Sequence, residues 1–190
     1  VAIISPKSHI LKRSNLAHLI RAASRILKNE RMLVIGSQSI LASFDDEDLP
    51  EMLTMSMEAD VAFFEDPENE KADIAEAILG ELSMFHHTFG YYLQGVSMET
   101  AVLPKGWEIR LRRFVYGDYG GADARCLEVH DLAIAKLVAN RSKDRDFVQA
   151  LMAQYIALEG ILVERALELH ESQELVDRVI SSIHALRPAA

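Results

Sequence analysis

Two short apolar runs, each carrying polar residues at one defined point, constrain this chain more than any other feature. The first reads Leu33-Val34-Ile35-Gly36-Ser37-Gln38-Ser39-Ile40-Leu41, and the second Ser56-Met57-Glu58-Ala59-Asp60-Val61-Ala62-Phe63-Phe64. Both have the length and apolar density of buried strands. The first breaks at Gly-Ser and passes into a helical pattern over 38–44. In the second, alternation along a strand sends Glu58 and Asp60 to the same side. Like charges held together are costly without a cation between them. Oxygen-only ligands on a rigid strand suit Mg²⁺, which takes one or two carboxylates and completes its shell with phosphates and water. Backbone N–H groups at the start of the helical run after Ser37 offer an anion site beside them.

The rest of the chain alternates between helix and strand and then becomes all helix. A helix opening at Ser14 or Asn15 puts Leu16, Leu19, Ile20, Ala23, Ile26 and Leu27 on one face. A strand is expected at 32–35. An acidic segment, 44–51, connects to the strand at 59–64 and reads as either a lid or a solvated connection. A helix at 72–82 follows. Strands are then expected at 89–96, 108–116 and 125–129, with a turn at 102–107 and a loop tip at 117–121. Asp131 is placed as the cap of a helix over 132–140, and Ser142 as the cap of one over 143–155. Two more helices, 158–170 and 173–186, close the chain, the last capped by Ser172. This order predicts an α/β (α+β) fold, a mixed sheet flanked by helices with a helical C-terminal part. The expected division is a core over 1–129 and a helical region over 130–190 packed on it.

Composition narrows the function classes. The chain has 190 residues and a formal net charge of −9. It therefore lacks the broad positive field that drives non-specific nucleic-acid binding. Its apolar runs are too short to span a bilayer, and its first residues lack a signal-peptide pattern. The single Cys, Cys126, excludes an internal disulfide framework. The expectation is a cytoplasmic protein without a membrane partner. His86-His87 cannot converge on one ion from adjacent helical positions. No phosphate-binding GxxxxGK[ST], GxGxxG or GxSxG motif is present. The apolar faces of the last helices must be covered by the sheet or by a second copy of the chain, which puts a homo-oligomer among the expected partners.

Gly36-Ser37 followed by Glu58-x-Asp60 resembles the nucleotidyltransferase fold of the polymerase-beta superfamily. The interval between the motifs is longer than in compact members, and the first acid is Glu where Asp is more usual. The segment from His130 to Phe147, with Asp131-Leu132, Lys136-Leu137 and Arg141-x-Lys143-Asp144, resembles a prokaryotic branch with members in toxin–antitoxin and abortive-infection systems. Tyr91-Tyr92 followed by the run from Glu99 to Trp107 is similar to a subgroup of that branch. The resemblance implies a nucleoside monophosphate transferred from a nucleoside triphosphate to an acceptor hydroxyl. It implies Mg²⁺ on Glu58 and Asp60, triphosphate against Gly36, Ser37 and Lys136, and a further role for Asp144. A third carboxylate is expected from a neighbouring strand, and Glu99 is the candidate, since Gln94 is neutral. Phe147 stands where some relatives carry Asp. The acceptor (protein, RNA end or small molecule) is open. The other outcome the resemblance implies is a catalytically degenerate scaffold that binds an antitoxin-like protein partner.

Overall fold

A computed structural model describes residues 10–28, 30–117 and 122–188. Residues 118–121 of the expected loop tip lie outside the described residues. The chain enters through helix α1 (Arg13–Ile26), whose buried face carries Leu16, Leu19, Ile20 and Ala23. The helix starts one residue earlier than its first expected cap. Asn15 serves from inside the first turn, accepting a hydrogen bond from the Lys12 backbone N–H at 2.9 Å. Strand β1 (Met32–Val34) follows, buried along its whole length. The next run, expected as an α-helix, is a 3-10 helix over Ser37–Ala42. Ser39 N–H donates to Gly36 O, closing the tight first turn. Ser39 Oγ donates to Val34 O at 2.7 Å and ties that turn to the end of β1. The acidic segment holds a 3-10 turn, Asp46–Asp48, and the short helix α2 (Glu51–Thr54) follows.

Strand β2 (Glu58–Phe63) alternates, with Glu58 and Asp60 half-buried and Ala59 and Val61 buried. Helix α3 (Glu70–Leu79) buries Ala72, Ala75 and Leu79. Helix α4 (Met84–Phe89) occupies the start of the expected 89–96 strand, which shrinks to β3 (Tyr92–Gly95). Its capping signals lie in the sequence. Ser83 accepts from His86 N–H at 3.1 Å, and Gly90 closes the helix with φ +78°, in the left-handed region that favours glycine.

The expected 108–116 strand is also corrected. Trp107–Arg110 forms one helical turn, α5, and only Arg112–Arg113 is a strand, β4. The reason is Arg110. Its guanidinium forks onto both Asp131 oxygens, at 2.8 and 2.9 Å, and also reaches Lys105 O, which curls the segment back on itself. Strand β5 (Ala124–Cys126) leads into α6 (Val129–Ala139). Asp131 does not cap α6. Glu128 does, accepting from His130 N–H at 3.0 Å, which leaves Asp131 buried within the first turn against Arg110. Ser142, expected as the cap of the next helix, is instead the first residue of α7 (Ser142–Ala153); Arg141 takes the cap position, because the Asp144 carboxylate accepts from Arg141 N–H. Helices α8 (Glu159–Leu167) and α9 (Gln173–Ala185) end the fold, and Ser172 caps α9 as expected, accepting from Leu175 N–H.

The five strands form one mixed sheet in the order β3-β2-β1-β5-β4. Strand β1 runs antiparallel to β2 and parallel to β5, while β2 and β3 are parallel. The apolar core includes Leu33 and Val61 from the sheet together with Leu137, Val148, Leu162 and Val179 from the last four helices. No helix among the described residues is long and apolar enough to cross a membrane.

Candidate active site

Parallel pairing of β2 and β3 sets two rungs side by side. Glu58 faces Tyr92 on one and Asp60 faces Gln94 on the next. Paired residues share a sheet face, and all four line a single cleft of ≈ 730 Å³ together with Gly36 and Ser37. The strand alternation and the Gly-Ser turn therefore meet in one place. Ile35 N–H donates to Asp60 O at 3.0 Å and holds the two segments together. Gly36 is required by closeness, its backbone being extended. A Cβ there would stand 2.8 Å from Asp60 Cγ and closer still to Oδ2.

The floor of the cleft is electrostatically tense. Burial, and then repulsion from Glu58, pushes the Asp60 carboxyl above the usual range, offset in part by Lys136, Lys143 and Arg141. The Tyr92 hydroxyl donates to Glu58 Oε2 at 2.9 Å. Burial and that bond to Glu58 hold the phenol protonated well beyond its ordinary range.

The cleft also has a basic lining, which comes from the junction of α6 and α7. Lys136, Arg141 and Lys143 form it. The Lys136 ammonium lies 3.3 Å from Asp144 Oδ1 and 4.5 Å from the centre of the Phe147 ring. Burial pulls its pKa down, opposed by Asp144 and by Asp60. Asp144 is fully buried and does not line the cleft. Burial alone would raise its pKa, but the Arg141 hydrogen bond and the charges of Lys136 and Arg141 hold it below the carboxylate range. Arg141 grips it with Nε at 2.6 Å and Nη2 at 3.2 Å. Asp144 thus orients two of the three cations that line the cleft, Lys136 and Arg141.

Glu58, Asp60, Gly36, Ser37 and Lys136 are brought together; Glu99 is not. It sits exposed on a 3-10 turn, Met98–Thr100, and its neighbours Thr100 and Ala101 line the cleft instead. Among the described residues no group of three or more His, Cys, Asp or Glu is disposed to hold a metal ion, so Asp146, which also lines the cleft, does not join Glu58 and Asp60 in one. That pair still suits Mg²⁺, whose remaining ligands come from phosphate and water. Sequence reasoning missed Tyr92, whose place opposite Glu58 depends on strand register. It placed Arg141 and Lys143 in a basic group of which a triphosphate needs only a few members, without assigning either to the site, although they flank Asp144 in the segment it singled out. The apolar rim of Met52, Met55 and Met57 was missed as well.

A mixed sheet with a Gly-Ser turn beside an acidic pair is the arrangement that the resemblance to nucleotidyltransferases implies. The family model for nucleotidyltransferases of unknown function (DUF6036) matches residues 14–178, and the chain belongs to that family. No curated protein and no solved structure matches it.

Proposed function

We propose that this cleft binds a nucleoside triphosphate with Mg²⁺ and transfers its nucleoside monophosphate to an acceptor hydroxyl. The observation that carries this reading is that Glu58 and Asp60 of the sheet line one open cleft together with Lys136, Arg141 and Lys143, near enough for these cations to act on Asp60. Such a cleft attracts a polyanion to its cations and a hard cation to its carboxylates. Glu58 and Asp60 are the residues to hold Mg²⁺, which when bound neutralises phosphate charge and steadies the leaving oxygen. Lys136, prepositioned by Asp144 and Phe147, is the residue to meet the phosphates, and the N–H groups after Gly36 add uncharged donors. The acceptor oxygen bonds to the α-phosphorus, the bridging bond to the β-phosphate breaks, and pyrophosphate departs with that electron pair as the hydroxyl proton is released. Fixed charge and positioning supply the catalysis, with no covalent enzyme intermediate.

The acceptor belongs to one of three classes, a protein hydroxyl, an RNA end or a small molecule. The biological setting proposed, carried by the resemblance of the 130–147 segment, is a toxin–antitoxin or abortive-infection system with a protein partner. Thermal unfolding with each nucleoside triphosphate tests the reading, since a ligand of the native state raises Tm. The expected result is a Tm increase with at least one triphosphate that needs Mg²⁺ and disappears with EDTA. No shift with any of the four common ribonucleoside triphosphates would contradict it.

A further inference from the structure

The two acids occupy only half of a four-residue square. Glu58 and Tyr92 form one rung, Asp60 and Gln94 the next, and all four line the cleft. A site for two divalent cations, held about 3.5–4 Å apart, needs carboxylates that both ions can share. The corner beside Asp60 is an amide, a neutral and weak ligand for Mg²⁺. The corner beside Glu58 is a phenol, whose hydroxyl donates to Glu58 Oε2. Asp146 also lines the cleft, but from α7. No third acid, His or Cys among the described residues joins the pair as a metal-holding group. Positive charge in the same cleft is already resident in Lys136, Arg141 and Lys143.

We infer that this cleft takes one divalent cation with its triphosphate, not two, and that Gln94 is the residue that sets the number. The inference rests on the nucleotide reading given above. Gln94 is exposed, so Gln94→Glu can be made with little disturbance of packing. The substitution sets a carboxylate on the rung of Asp60, next to Glu58, and completes a three-acid cluster.

The test counts Mn²⁺ bound to the full chain by equilibrium dialysis with a saturating α,β-methylene nucleoside triphosphate, as the excess of total Mn²⁺ on the protein side over the protein-free side, which holds the Mn²⁺ carried by free analogue. The analogue carries the base that gives the largest thermal shift. The expected result is one Mn²⁺ per chain in the wild type and two in Gln94→Glu. Two Mn²⁺ in the wild type would overturn the inference while leaving the nucleotide reading intact. One Mn²⁺ in both proteins would overturn the role given to Gln94. No excess of Mn²⁺ or of analogue on the protein side, for either protein, would overturn the nucleotide reading itself and the inference with it.

Discussion

Gly36 and Asp60 show how little space the site has. A methyl group at position 36 would overlap the Asp60 carboxylate, so that carboxylate can hold its place only because residue 36 has no side chain. Gly36→Ala is expected to cost about 1–3 kcal/mol, the range for overpacking a filled site. It should also weaken Mg²⁺-dependent nucleotide binding, because Asp60 must rotate away. Urea unfolding and calorimetry check the two effects, and an unchanged nucleotide affinity would show that Asp60 does not reach the ligand. The charge state of Asp60 gives a pH signature. Its folded-state pKa lies above the ordinary carboxylate value, through burial and then Glu58. The native state therefore binds more protons than the unfolded state in the window between the two pKa values, and stability falls as pH rises through it. Without metal, Asp60→Asn should have a higher Tm than the wild type at pH 7. The difference should vanish below about pH 4, where both proteins carry a neutral group there. Asp144, whose pKa is held low, loses its contribution on acidification in both proteins and cancels from the comparison. A variant that is less stable at pH 7 would contradict the assigned strain.

At the level of elements, local patterning decided which expectations held. The amphipathic run of α1, the strand carrying Glu58 and Asp60, and Ser172 at the start of α9 all rest on contacts within a few residues, and all appear in the fold. The failures came where a distant residue took over. The 108–116 run alternates weakly enough to look like a strand, yet Arg110 is captured by Asp131 and Lys105. Asp131 looks like a helix cap from sequence because its partners, Arg110 and Arg165, are remote. The strand expected at 89–96 lost its start to α4, although Ser83 and Gly90 announce that helix. The Arg110–Asp131 pair fastens α5 to the start of α6, the helix that presents Lys136. Arg110→Ala strands a carboxylate that is 1% exposed, with Arg165 left at 3.5 Å as partial compensation. The loss should be about 3 kcal/mol, the lower end for breaking a buried pair. That corresponds to a Tm lower by roughly 6–12 °C for a chain of this size. Thermal unfolding checks it, and a drop below about 1 kcal/mol would mark the pair as dispensable.

Across the whole molecule, the cleft joins segments that the sequence keeps far apart. Its acidic floor comes from β2 and its basic wall from α6 and α7, on either side of the boundary expected at residue 129. Each wall carries a motif recognisable by itself. Their meeting in one cleft follows from tertiary packing, as does the register that sets Tyr92 and Gln94 beside the acids. The net charge of −9 conceals this local arrangement, because the three cations of the basic wall are outnumbered by acids elsewhere. The central claim is that these two walls together bind a metal–nucleotide pair. Calorimetric titration of the triphosphate that gives the largest thermal shift tests it most directly, with Mg²⁺ or EDTA, into wild type, Asp60→Asn and Lys136→Gln. The account predicts binding to the wild type only with Mg²⁺, loss of that binding in Asp60→Asn, and at least tenfold weaker affinity in Lys136→Gln, equivalent to about 1.4 kcal/mol. Equal, Mg²⁺-independent affinity in all three proteins would contradict it.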